Sequence, residues 1–175
     1  MDIASFAQLF RTFRRSAFRL ETLSHYSVLE ETEEFQRFLR GEPLPKEKNA
    51  DWTGLVSSAV AAGKSLERVH LLPSVLSPYL RFELEWAYPF SAHAGESIRL
   101  LTEAAPAAIR AMASEDFWMF DDELVIRMRY DSEGRFLAPE VVQRADDIDR
   151  YRQTVARIMP YTTTFSEYMA SIRSL

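Results

Sequence analysis

Residues 116–142 read DFWMFDDELVIRMRYDSEGRFLAPEVV, and this stretch decides what kind of fold the chain can form. Leu124, Ile126, Met128 and Tyr130 alternate with Val125, Arg127 and Arg129, the two-residue period of a strand with one buried and one wet face. Asp131, Ser132, Glu133 and Gly134 then supply a tight loop in which Gly134 can take positive φ, and an apolar run resumes at Phe136. The pair predicts a hairpin. Upstream, residues 116–120 form a second, aromatic-rich strand closed by Asp121 and Asp122. At strand spacing Phe117 and Met119 share one face and Trp118 and Phe120 the other, which fits a sheet covered on both sides better than a stacking platform for bases. Three consecutive strands make the spine of a sheet.

Working outward, residues 66–72, LERVHLL, read as a short strand stopped by Pro73, with His70 turned outward from Val69 and Leu71. Ser77 before Pro78 is a helix start, because the hydroxyl can cap and proline has no N–H to lose at the first helical position. That helix is expected over 77–88, broken by Pro89, and followed by a loop over 90–96, a strand over 97–101 and a short alanine-rich helix over 105–113. Strand, helix and strand form a βαβ unit, which places two strands parallel. Towards the C-terminus, Asp146 or Asp147 caps a helix carrying Ile148, Tyr151, Val155 and Ile158 and ended by Pro160. Thr164 caps a last helix with Phe165, Tyr168, Met169 and Ile172.

Towards the N-terminus, Phe6, Leu9, Phe10, Phe13 and Ala17 recur at helical spacing, with Arg11, Arg14, Arg15 and Arg19 on the remaining surface. Residues 30–40 predict a second helix ended by Gly41. A polar loop follows over 41–51, and Asp51 caps a third helix that Gly63 ends. The whole chain, 1–175, is expected to be one α/β (α+β) domain. Its parts are N-terminal helices over 1–63, a mixed sheet with helices over 64–145, and C-terminal helices over 146–175.

Composition narrows the chemistry. The 47% hydrophobic and 13% aromatic content of 175 residues supports a core. No apolar run approaches the roughly 20 residues of a membrane helix. The opening places its arginines after its apolar residues, the reverse of a secretory signal, so a soluble cytoplasmic protein is expected. With no cysteine there is no disulfide, thiolate nucleophile or cysteine-held metal. A net charge of −5 argues against whole-surface attraction to nucleic acid. Only the Arg11, Arg14 and Arg15 face offers a local basic patch, and pairing with acids such as Glu21, Glu30 or Glu31 is the plainer reading of it. No phosphate-loop, dinucleotide, zinc-protease or nucleophile-elbow motif occurs.

The candidate site residues are Arg81, Glu83, His93, Glu96, Arg99, Asp116 and Asp121, which gather with Asp122 around the predicted strand ends, where open α/β sheets tend to bind ligands. Glu83 and Glu96 would serve acid–base chemistry if burial separated their pKa values. The competing reading is that Arg81, Glu83, Glu96 and Arg99 are ion pairs joining helix to sheet. His70 is read as structural. Asp121, Asp122 and Asp131 are read as turn formers, so no metal and no cofactor are expected.

The succession FRLETLSHYSV, FQRFLRGEPLP, Trp52, ERVHLLP, SPYLRFEL, AGESIRLL, DFWMFDD, MRYDSEGRFLAPEVV and TFSEYM resembles an uncharacterised actinobacterial domain of unknown function. Nearly the whole chain is covered. The resemblance implies a non-catalytic regulatory or partner-binding role, because such proteins are often encoded beside helix-turn-helix regulators. The expected partner is such a regulator, or a small-molecule ligand at the strand-end crevice. Occurrence of a few in biosynthetic gene clusters implies an alternative, an enzyme of specialised metabolism using Glu and Asp for acid–base catalysis. The chain is also similar, more loosely, to one half of the phospholipase D-like fold. That superfamily's H-x-K is missing: His25, His70 and His93 are followed two positions later by Ser27, Leu72 and Gly95.

Overall fold

In the computed structural model, which describes residues 1–46 and 50–173, the chain begins with α1 (Ile3–Thr12), β1 (Ser16–Glu21), α2 (Thr32–Leu39), α3 (Ala50–Ala61) and β2 (Ser65–Leu71). There follow α4 (Pro78–Phe82), a π-helical turn (Glu83–Ala87), α5 (Tyr88–Ala94), β3 (Ser97–Leu101), α6 (Ala107–Arg110), β4 (Phe117–Phe120), β5 (Leu124–Tyr130) and β6 (Phe136–Val141). The chain closes with α7 (Ala145–Ile158), β7 (Thr163–Thr164) and α8 (Phe165–Arg173). Of the loop expected over 41–51, residues 47–49 lie outside the described residues.

The strands form one open mixed sheet in the order β6-β5-β4-β1-β2-β3-β7. β1, β2 and β3 are parallel, and β4, β5, β6 and β7 each run antiparallel to the neighbour they join. The α+β class, the βαβ unit and the 116–142 hairpins are therefore as the sequence predicts. On one face Ala17, Leu66, Trp118, Phe120 and Ile126 pack against Phe10 and Phe13 at the α1 end and Trp52 and Val56 of α3. On the other, Phe18, Leu20, Val69, Phe117, Met119 and Val125 pack against Tyr151 and Ile158 of α7. Each of the large apolar side chains among them contributes about 1.5–3 kcal/mol by leaving water. Coverage of both faces buries all of β4, and it also buries Val125, expected on a wet face.

Three expectations fail for identifiable reasons. The first helix ends at Thr12, and SAFRLE is the central strand of the sheet instead of a helical continuation. Asp121 causes the change of direction: its carboxylate accepts the backbone N–H groups of Arg14, Arg15 and Ser16, drawing the chain out of the helix and onto β4. Arg19 thus leaves the helix surface and becomes buried. Asp121 and Asp122 themselves stand at φ 56° and 60°, a left-handed turn that aspartate tolerates better than most residues, and Glu123 N–H closes it on Phe120 C=O.

Pro89 does not break the 77–88 helix. A proline ring collides with the carbonyl four residues back in a regular helix, but the preceding π turn has widened the backbone, and the helix runs on to Ala94. The loop expected over 90–96 is therefore mostly helical and ends at Gly95, with φ 107°. Finally, the expected aspartate caps lie inside the first turns of their helices, Asp51 in α3 and Asp146 and Asp147 in α7, and none of them is the capping residue. The predicted cap at Thr164 is present as a reciprocal pair, with Thr164 N–H donating to Glu167 Oε2 at 3.0 Å and Glu167 N–H donating to Thr164 Oγ1 at 3.3 Å.

Candidate functional site

Strand periodicity puts Arg19 and Glu21 of β1 on the same face as Ala17, and Arg68 and His70 of β2 on the same face as Leu66. The parallel register sets Arg19 opposite Arg68 and Glu21 opposite His70. Towards the carboxyl ends of these strands the apolar layer under α1 and α3 therefore gives way to a buried polar floor. Arg19, Glu21, His70, Glu83, Glu96 and Asp116 are all buried in it.

Each member is held. Arg19 Nη2 donates to Asp116 Oδ2 at 2.8 Å and to Tyr130 Oη at 3.1 Å, and its Nε lies 3.4 Å from Glu21 Oε1. Arg68 donates to Glu21 Oε2 at 2.7 Å and to Glu96 Oε1 at 2.9 Å, while Glu96 Oε2 accepts Trp52 Nε1–H at 3.0 Å. Asp116 also accepts the Thr22 N–H and hydroxyl and the Tyr26 hydroxyl, at 2.9, 2.5 and 2.6 Å. Buried charges survive only when paired and hydrogen-bonded in this way.

The π turn delivers two further groups. Tyr88 N–H donates to Glu83 C=O, a five-residue hydrogen bond. In an α-helix, residues five apart point about 140° away from each other. The wider π turn stacks them, so Glu83 and Tyr88 both face β1 and β2. Tyr88 Oη comes within 2.5 Å of His70 Nδ1 and 3.2 Å of Glu21 Oε2, and Glu83 Oε2 lies 3.5 Å from the same Nδ1.

Protonation follows from the contacts. His70 Nε2 faces the Leu23 carbonyl at 3.0 Å, which can only accept, so Nε2 carries the proton and Nδ1 presents a lone pair. Burial holds the His70 pKa below its ordinary value against the upward pull of Glu21, leaving the ring neutral near pH 7. Burial pushes the Tyr88 hydroxyl well up, reinforced by Glu83 and Glu21, so it keeps its proton. Burial would raise Glu21 too, but the Arg68 and Arg19 guanidiniums overcome it and hold its pKa down to about 2.

Above this floor opens a cleft of about 690 Å³, walled by Trp52, Tyr79, Trp118 and Tyr130 and rimmed by Val28, Leu29 and Phe136. Arg19 lines it, and the buried Arg19 Nη1 has no hydrogen-bond partner among the described residues.

Of the candidate residues read from sequence, Glu83, Glu96 and Asp116 come together here. Arg81 is exposed and outside the network. His93 is exposed near the end of α5, beside Ala50 and Thr53. Arg99 belongs to the opposite face of the sheet, with Nε on Thr162 Oγ1 at 2.6 Å. Asp121 sits at the other end of β1 in its capping role. The ion pairs imagined among Arg81, Glu83, Glu96 and Arg99 are replaced by Arg68 with Glu96 and Glu21. His70 is turned inward and surrounded by partners, so it is neither outward nor alone. Arg19, Glu21, Arg68, Tyr26 and Tyr88 were absent from the candidate set. The signal that marks Arg19, Glu21 and Arg68 is a charged or imidazole side chain at every second position of two apolar strands, SAFRLE and LERVHL; Tyr26 and Tyr88 lie outside both strands and carry no such signal.

A family model described as a domain of unknown function (DUF6879) matches residues 4–170. The chain belongs to that family. The matched span contains the whole sheet and every residue of the buried floor. No curated protein and no solved structure matches the chain. Among the described residues no helix is long and apolar enough to cross a membrane.

Proposed function

We propose that the cleft binds a small polar ligand, and that ligand binding is how this family member acts, in a regulatory setting where a partner such as a helix-turn-helix protein reads the occupied state. The carrying observation is Arg19, a cleft-lining residue whose guanidinium holds a buried donor, Nη1, with no acceptor among the described residues. A buried donor without an acceptor costs about 1–3 kcal/mol, and a ligand oxygen placed there removes that cost. The cleft volume falls in the range of about 300–1,000 Å³ typical of small-molecule sites. The Trp52 and Trp118 rings suit a flat or apolar ligand body.

The test is the native mass of the protein purified from its own host, compared with its denatured mass. A retained small molecule is expected. An identical mass in both, together with no thermal shift across a library of polar metabolites, refutes the reading.

A second reading, acid–base catalysis, is favoured by one observation: the neutral His70 Nδ1 sits against a protonated Tyr88 between two carboxylates. Groups whose environments push their pKa values apart make acid–base sets. If this holds, the recovered ligand is turned over by the wild-type protein and bound without turnover by His70→Gln. Binding without turnover in the wild type overturns it.

A further inference from the structure

The same floor contains a donor set suited to a metal ion. We propose that Glu21, His70 and Glu83 bind a divalent first-row transition ion, zinc foremost. One donor atom from each lies within 4.8 Å of the others, and all three residues are buried. His70 Nδ1 is 3.6 Å from Glu21 Oε2 and 3.5 Å from Glu83 Oε2. Two donors on a tetrahedral ion with bonds of about 2.1 Å stand about 3.4 Å apart, so both spacings from His70 to the carboxylates are those of a metal site.

Three further features support it. The Leu23 carbonyl fixes the proton on Nε2 and so aims the Nδ1 lone pair at the carboxylates; an outer hydrogen bond of this kind orients most histidine ligands. The π turn fixes Glu83 on the required face. One imidazole and two carboxylates select a borderline ion such as zinc over magnesium, which prefers oxygen alone.

Two neighbours oppose the ion and must be accommodated. Arg68 donates to Glu21 Oε2 at 2.7 Å and takes the place of an outer-shell partner that orients the carboxylate. The Tyr88 hydroxyl, now on Nδ1, has a second acceptor in Glu21 Oε2 at 3.2 Å; turning its proton there leaves the phenol oxygen facing the ion. Three charged or imidazole ligands are one fewer than a closed structural zinc site has, and the Tyr88 oxygen faces the remaining position. The inference does not need the organic ligand proposed above, since the ion would bind in an otherwise empty cleft.

The experiment uses the full chain stripped with a chelator, titrated with zinc by calorimetry and with cobalt by visible absorption. One ion per chain is expected, with the absorption of four-coordinate cobalt. Glu83→Gln and His70→Gln should each weaken zinc by more than about 100-fold, beyond what losing an outer-shell partner produces, while the exposed Glu85→Gln leaves it unchanged. Should the buried variants fail to fold, nitrogen-15 histidine labelling of the wild type decides instead. Zinc then moves the Nδ1 resonance of His70, not those of His25 and His93. No bound ion, equal affinity in a folded Glu83→Gln variant, or an unmoved His70 resonance each overturns the proposal.

Discussion

Removing the Asp116 carboxylate tests the buried floor most directly. In Asp116→Ala, four donors lose a carboxylate acceptor at once: Arg19 Nη2 and the Thr22 N–H, which keep only a tyrosine oxygen each, and the Thr22 and Tyr26 hydroxyls. Hydrogen bonds to a charged group contribute about 1.5–3 kcal/mol each, but they are not additive. Breaking a buried ion pair by deleting one partner costs about 3–5 kcal/mol, and Arg19 would keep only Glu21, at 3.4 Å, as a carboxylate neighbour. A loss of about 4 kcal/mol is therefore expected. With a urea slope of about 2 kcal/mol/M this lowers the unfolding midpoint by about 2 M. The cause is separated by a cycle with Arg19→Met, in which no guanidinium is left stranded. Asp116→Ala should then cost at least about 2 kcal/mol less than it does in the wild type. A single-mutant loss below about 1 kcal/mol, or additivity within about 0.5 kcal/mol, refutes the account of a mutually dependent buried pair.

Acid sensitivity should carry two signatures. The ionised Glu21 stabilises the fold fully above its unfolded pKa of 4.5, and that stabilisation is lost as pH falls from there towards about 2; urea unfolding of Glu21→Gln should show a flatter slope in this window. His70, held neutral by burial, adds an earlier loss that begins as pH falls through 6.5, because the unfolded chain takes up the proton first; His70→Gln should remove it. Gly134→Ala should destabilise by about 1–3 kcal/mol in thermal unfolding, because a Cβ there meets the His25 carbonyl oxygen and φ is 75°. Asp121→Ala should cost about 1–3 kcal/mol through the three backbone N–H groups it leaves behind. Glu123→Ala, whose arginine partners Arg14 and Arg15 are well exposed, should cost no more than about 1 kcal/mol in the same assay.

The elements legible from sequence are those whose signals are local. The 116–142 strands declare themselves by alternation and by Asp and Gly turns, and the βαβ unit by Ser77-Pro78 and two short apolar runs. β1 is the instructive failure. Phe18 and Leu20 alternate with Arg19 and Glu21, but both faces of the strand are buried, so its polar side does not mark a wet face, and Phe13 and Ala17 prolong the helical spacing of α1. Glu83, Glu96 and Asp116 were legible as polar residues near strand ends. Their partners were not, because Glu21, His70 and Glu83 meet only through sheet register and a π turn, neither of which leaves a fixed sequence spacing. The single local hint of that turn was Pro89, which ordinarily signals a break.

The placement of β1 sets the order in which the molecule can form. The strand that occupies the middle of the sheet comes from the first 21 residues, yet its antiparallel neighbour spans 117–120, and the Arg19–Asp116 pair closes a loop of 97 residues. Contacts so distant along the chain are slow to form, because the entropy of bringing them together is lost before any pairing rewards it. On the ribosome β1 must therefore wait for its β4 neighbour until about residue 120 has emerged, and Phe18 and Leu20 are covered only once α7 packs on them. The polar floor is thus among the last parts of the protein to come into existence, and a variant that slows the β1–β4 closure should be recognised by chaperone dependence during synthesis before it shows any change in final stability.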